Sequence, residues 1–140
     1  MTDKPFVDTN ILIYAHDLDA GAKHKQAAEL IRRLWENGGG VLSTQVLQEF
    51  YVNVTQKIPQ PIPLATARGI IDAYRAWQVE VNTVETVLLA SEYQERNQLS
   101  FWDTMIVAAA VQGGATVLLT EDPNAGQLIE GVEVRNPFGI

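Results

Sequence analysis

The 140-residue sequence contains no cysteine, which excludes disulfides, thiol nucleophiles and thiolate sites for zinc or iron–sulfur clusters. No apolar run approaches the length of a membrane span. An acidic residue, Asp3, follows the start at once, and no secretory-signal pattern is present. These absences favour a reducing, cytoplasmic location and no membrane partner.

Positive charge is also scarce, since ten Lys and Arg face seventeen Asp and Glu and the formal net charge is −7. This balance argues against broad, non-specific nucleic-acid binding, which depends on cations that neutralise phosphates. Basic residues concentrate at Lys23, Lys25, Arg32 and Arg33, where they form either a solvated helix surface or a positive face. The length and the 46% apolar content predict one folded domain over residues 1–140.

Short apolar runs alternate with helical patterns along the chain. The patterns predict strands over 5–8, 41–43, 79–81 and 116–120, with 132–134 as a fifth strand at the edge. Helices are predicted from 9 or 10 onward, over 22–36, 44–57, 63–77 and 84–97, and from 100 to the Gly113-Gly114 pair. This alternation predicts an α/β fold of three layers, a parallel sheet of about five strands with helices on both faces.

Four acidic residues stand where an acid is locally unexpected. Asp8 ends the first strand, Asp122 follows the fourth, Asp103 opens an apolar helix and Glu49 interrupts another. The predicted topology lets all four face one edge of the sheet, where α/β proteins bind ligands. Because gathered carboxylates repel each other, a hard cation with oxygen ligands, such as Mg²⁺ or Mn²⁺, would stabilise them.

Each acid also has an ordinary structural explanation. Asp8 could cap the first helix, and Glu49 could be an exposed helix residue. Asp103 matches a capping box with Ser100. Asp122 lies in a turn before Pro123, and its neighbour Glu121 is a rival for the same role.

Several segments match a known family in the family's order, along the whole chain. They are Val7-Asp8-Thr9-Asn10-Ile11-Leu12, residues 42–50 ending in Gln48-Glu49-Phe50, residues 99–110 with Trp102-Asp103-Thr104, and Leu118-Leu119-Thr120-Glu121-Asp122. The chain resembles PIN-domain ribonucleases, and among them the VapC-type toxins of toxin–antitoxin pairs.

The resemblance implies a single PIN-like domain that cuts single-stranded or loop RNA with one or two Mg²⁺ or Mn²⁺ ions. It assigns catalysis and metal binding to the four acids and a supporting role to Asn10 and Thr120. It further implies a homodimer and a cognate antitoxin, for which the groove between helices 44–57 and 63–77 is the expected docking site. The family usually has leucine where this chain has Pro123, so that Glu121 could share the role of Asp122.

Other functions remain open at this point. The main alternative is a catalytically silent PIN-like module that binds RNA or a protein. A phosphatase is disfavoured because Asp8-Thr9-Asn10 lacks the second aspartate of an Asp-x-Asp motif, and a dinucleotide enzyme because no Gly-x-Gly-x-x-Gly follows the first strand. His16 and His24 are alternative general acids, both expected at the surface. Tyr14, Tyr51 and Trp102 could stack on bases, although core packing is the expected use of each.

Overall fold

The computed structural model describes residues 3–121 and 124–139 of the chain. Its strands are β1 (Pro5–Val7), β2 (Val41–Ser43), β3 (Gln78–Glu80), β4 (Val117–Leu119), β5 (Leu128–Ile129) and β6 (Val132–Arg135). Its helices are α1 (Thr9–His16), α2 (Ala22–Glu36), α3 (Thr44–Val52), α4 (Leu64–Tyr74), α5 (Val84–Asn97) and α6 (Phe101–Gln112). The predicted α/β alternation is therefore confirmed.

The strands form one sheet in the order β3-β2-β1-β4-β6-β5, parallel except for the β5–β6 pair. The chain moves outward from β1 to β3 and then crosses back to β4 on the other side of β1. Strand order thus reverses between β1 and β4, and ligands of such sheets bind outside the carboxyl ends of the strands at this point. Right-handed crossovers place α1–α4 over one face and α5 and α6 over the other.

Apolar side chains fill both sides of the sheet. Phe6, Val7, Leu42 and Val46 have essentially no exposed surface, and every residue from Thr104 to Ala110 of α6 is buried. A helix that is apolar on all sides packs in the interior. Because the body of α6 is held there, its first turn, which carries Asp103, has a fixed position relative to the sheet. No helix within residues 3–121 and 124–139 is long and apolar enough to span a bilayer.

Three element predictions need correction. The sheet has a sixth strand, β5, which pairs with β6 through a turn at Glu130 and Gly131, both with positive φ (50° and 84°). Helix α4 is shorter than the predicted 63–77, and Pro63 is its N-cap rather than its first residue. Helix α3 ends at Val52, and residues Asn53–Lys57 form a π-helical turn instead of a further α-helical turn.

Candidate active site

Asp8 links β1 to α1 at the point where strand order reverses. It is the N-cap of α1, and its Oδ1 accepts a hydrogen bond from the Thr9 backbone N–H at 2.7 Å. Its Oδ2 accepts one from the Thr120 hydroxyl, just beyond β4, at 2.8 Å. The capping role and a role in the site are therefore compatible, because one carboxylate oxygen caps α1 and the other bonds to the residue after β4.

The ionised form of the Asp8 side chain is disfavoured by its surroundings. Burial is the largest cause that raises its pKa from 3.8 to about 6, and the hydrogen bonds from Thr120 and Thr9 only partly oppose it. The negative charges of Glu49 and Asp103 raise the pKa further. Glu49 and Asp103, which lie far from Asp8 in sequence, are thus each near enough to repel the Asp8 carboxylate.

Glu49 lies in α3 and is held by two polar neighbours. The Thr9 hydroxyl donates to its Oε1 at 2.6 Å, and the Gln45 side-chain amide donates to its Oε2 at 3.5 Å. Thr9 therefore bridges two acids, with its backbone on Asp8 and its hydroxyl on Glu49. Thr9 has only a weak signal in the sequence, its position directly after Asp8, and no signal predicts its contact with α3.

Asp103 occupies the first turn of α6, where Ser100 caps the helix by accepting from the Asp103 backbone N–H at 3.1 Å. Its side chain is exposed, and it lines a narrow cleft together with Asp8, Thr120 and Asn124. The expectation that this turn packs Trp102 inward is wrong, because Trp102 is 64% exposed. Asp103 is thus accessible from solvent.

Asn10 and Thr120 belong to the hydrogen-bond network of the site. The Asn10 amide donates to the Thr120 hydroxyl at 3.4 Å and accepts from the Glu121 backbone N–H at 3.3 Å. The carboxylate of Glu121 contacts another set of groups, the Tyr14 hydroxyl at 2.8 Å and the Lys23 ammonium. Burial would raise the pKa of Glu121, but hydrogen bonds from Lys23 and Tyr14 outweigh it and lower the pKa.

Asp122 and Pro123 lie outside the described residues. The histidines lie elsewhere: the His24 Nδ1 is 3.0 Å from the Tyr14 carbonyl oxygen, and His16 packs against Phe50 and Tyr74. Both histidines are half-buried, so the expectation that they lie at the surface is wrong, and burial lowers the pKa of His16 to about 4.

The donor chemistry of the three described acids fits a hard divalent cation. In the described part of the chain, no salt bridge involves Asp8, Glu49 or Asp103. Glu49 and Asp103 repel the Asp8 carboxylate without a paired cationic side chain to compensate, and oxygen ligands suit Mg²⁺ or Mn²⁺. Within the same residues, however, no three His, Asp or Glu side chains are already gathered around one point.

An open groove, called the acid groove below, runs over Asp8 and Glu49. Its lining is Asp8, Thr9, Asn10, Ile13, Gln48, Glu49, Val52, Asn53 and Lys57. Asp8 also lines the narrow cleft that contains Asp103, and so stands where the two concave surfaces meet. An extended ligand in the groove would pass directly over the acids.

Comparison with known proteins agrees with this architecture. The family model described as PIN domain matches residues 6–128. Among solved structures, VapC20 of Mycobacterium tuberculosis, a sarcin–ricin loop cleaving toxin, has a TM-score of 0.67 and 23% identity, over 86% of this chain and 92% of that one. No curated protein matches the sequence significantly.

Two further similar structures come from assemblies. A toxin–antitoxin complex from Klebsiella pneumoniae has a TM-score of 0.71 and 19% identity, over 98% of this chain and all of that chain. VapBC2 from Rickettsia felis, bound to a promoter DNA fragment, has a TM-score of 0.65 and 16% identity, over 94% and 97% of the two chains. At these identities the likeness shows a common fold.

Proposed function

Because the chain belongs to the PIN domain family, we propose that it is a Mg²⁺- or Mn²⁺-dependent endoribonuclease. In this proposal it is the cytoplasmic toxin of a VapBC-type pair and hydrolyses RNA phosphodiester bonds at Asp8, Glu49, Asp103 and Asp122. The observation that carries the proposal is the half-buried Asp8 carboxylate, repelled by Glu49 and Asp103 at the switch point of the sheet. Within residues 3–121 and 124–139, no cationic side chain forms a salt bridge with Asp8, Glu49 or Asp103, and a metal ion would supply the missing positive charge.

Asp8, Asp103 and Asp122 would hold the metal, and Glu49 would bind it directly or through water. The bound ion would supply a water of lowered pKa and stabilise charge on the phosphate. Thr9 and Thr120 act on the acids themselves, since their hydrogen bonds fix the direction of the Asp8 and Glu49 carboxylates. Asn10 restrains Thr120 in turn.

One observation favours the alternative, a catalytically silent PIN-like module that binds RNA or protein. The described residues do not gather three acids around one point. A silent module would retain the fold and the groove but would bind Mg²⁺ or Mn²⁺ weakly or not at all.

A partner protein has a suitable surface beside the site. Helices α3 and α4 border an apolar groove lined by Leu47, Tyr51, Val52 and Ile71, and we assign it to the antitoxin, since the Klebsiella pneumoniae and Rickettsia felis relatives occur with antitoxins. A homodimer is supported by a separate exposed stripe on α5, formed by Val84, Val87 and Leu88. Three apolar residues at helical spacing face solvent there in the single chain.

The test incubates purified protein with a mixed RNA pool in Mg²⁺, in Mn²⁺ and in EDTA. We expect cutting only with metal, and none by Asp8→Asn, which keeps the shape of the side chain but not its charge. Asp19→Asn, at an exposed acid outside the site, is the matched control and should cut like the wild type. Cutting by Asp8→Asn at the wild-type rate would refute the site, and metal binding by calorimetry separates an unsuitable pool from a silent module.

A further inference from the structure

The acid groove contains one cationic side chain, Lys57, among its lining residues. Its other polar residues are acids, amides and a hydroxyl. A chain with a net charge of −7 attracts phosphates poorly as a whole. A single ammonium in the groove should therefore contribute a larger share of the attraction for an RNA strand than one ammonium contributes in a basic protein.

Lys57 also forms no ion pair within the described residues. Five basic residues, Lys23, Arg32, Arg75, Arg96 and Arg135, are engaged in ion pairs with acids. The predicted basic face of α2 is neutralised in this way at Lys23 and Arg32. The Lys57 side chain has no ion pair or hydrogen bond with any residue of 3–121 or 124–139, although two carboxylates line the same groove.

The backbone holds Lys57 at the groove by an unusual local structure. Residues Asn53–Lys57 form a π-helical turn, closed by a bond from the Ile58 N–H to the Asn53 carbonyl at 3.1 Å. Val54 in this turn is fully buried, and the Thr55 hydroxyl donates to the Tyr51 carbonyl at 2.6 Å. π-Helical turns occur frequently at functional sites, and this one changes the helical register just before Lys57.

We propose that Lys57 binds a backbone phosphate of the RNA strand next to the phosphate that is cut. The inference rests on the proposed function, which places the reacting phosphate at Asp8 and Glu49. The strand would run along the acid groove, with one phosphate at the metal held by the acids and a neighbouring phosphate on the Lys57 ammonium. Lys57 would position substrate and would take no part in the chemical step.

The test uses a short fluorescent single-stranded RNA, because a phosphate contact does not depend on sequence. Binding is measured by anisotropy at several KCl concentrations, in the non-cutting Asp8→Asn background with Mg²⁺. Lys57→Ala should weaken binding about fivefold and reduce the slope of log affinity against log salt by about 0.7, the value for one contact on a single strand. Lys57→Arg keeps the charge and should restore both.

Lys25→Ala is the control for net charge, since Lys25 is exposed on α2 and forms no ion pair with any residue in the described ranges. It should leave the salt slope unchanged. In the cutting enzyme, Lys57→Ala should raise KM and leave kcat within twofold of the wild type by our proposal, whereas damage to the fold would lower kcat.

The outcomes separate the two proposals. If the wild type cuts RNA but Lys57→Ala keeps its KM and salt slope, the Lys57 assignment is wrong and the nuclease proposal stands. If the wild type neither cuts RNA nor binds metal in calorimetry, but binds RNA with a salt slope that depends on Lys57, the groove is an RNA site of a silent module. A protein that neither cuts nor binds RNA overturns both proposals.

Discussion

Two acidic residues at neighbouring strand ends, Asp8 and Glu121, have different hydrogen-bond donors and opposite pKa shifts. Asp8, after β1, is held by neutral donors, the Thr9 N–H and the Thr120 hydroxyl, and its pKa is raised. Glu121, after β4, is held by the Lys23 ammonium and the Tyr14 hydroxyl, and its pKa is lowered. Within the described residues, the Lys23 ammonium compensates the charge of Glu121, whereas no salt bridge compensates that of Asp8.

The largest expected difference between these two acids is in RNA cleavage. Asp8→Asn should reduce the rate by more than about 100-fold, because it removes a proposed metal ligand. Glu121→Gln should reduce it by no more than about threefold, because partly exposed ion pairs contribute little. Both rates are measured on the same RNA substrate in Mg²⁺.

A Glu121→Gln variant as inactive as Asp8→Asn would contradict this difference between the two acids. Glu121 would then share the metal role expected for Asp122, and its contact with Lys23 would describe only the metal-free protein.

A smaller effect is expected from the residue that joins the two strand ends, Thr120. Thr120→Val keeps the volume but loses the hydroxyl that donates to Asp8, so the carboxylate is less well oriented and kcat should fall about tenfold. Thr120→Ser should recover most of this loss. Tyr14→Phe, which removes the hydroxyl bonded to Glu121 instead, is the matched control and should remain near the wild-type rate.

Secondary structure and the strand ends could be predicted because they depend on local signals. The amphipathic pattern of α2, the Ser43, Thr83 and Ser100 caps, and the polar residues after β1 and β4 can all be recognised in the sequence. The metal-ligand assignment itself stays a prediction.

What could not be predicted depends on contacts between distant segments. The bond between Thr9 and Glu49 joins residues 40 positions apart, and no local pattern encodes it. The π-helical turn that presents Lys57 is held by the burial of Val54, whereas the local sequence favours a continuous helix. Strand β5 has two residues and exists because β6 lies beside it.

Neutralising Asp8 or Glu121 should also change the free energy of unfolding in opposite directions, and the change at Asp8 should be moderate. Its folded pKa of about 6 exceeds the ordinary 3.8, so the ionised carboxylate costs stability that is fully felt above pH 6 and absent below pH 3.8. In EDTA, Asp8→Asn should stabilise the protein by about 1–3 kcal/mol at pH 8. The gain should shrink as the pH falls towards 4.

Urea unfolding at pH 8 and pH 4 measures this difference, and Asp19→Asn serves as the control. An equal effect at both values would mean that a change of packing, and not the charge of Asp8, is responsible.

The smallest effect, of opposite sign, is expected for Glu121→Gln. The lowered pKa of Glu121 means that its ionised form stabilises the folded state above pH 4.5, and that this contribution disappears as the pH falls through the folded pKa. The variant should therefore be slightly less stable than the wild type at pH 8 and equal to it at low pH. Because Lys23 is exposed, high salt should also reduce the difference. Thermal unfolding at low and high KCl measures it, and a stabilising effect of Glu121→Gln at pH 8 would show that the two strand ends do not differ in how their charge is compensated.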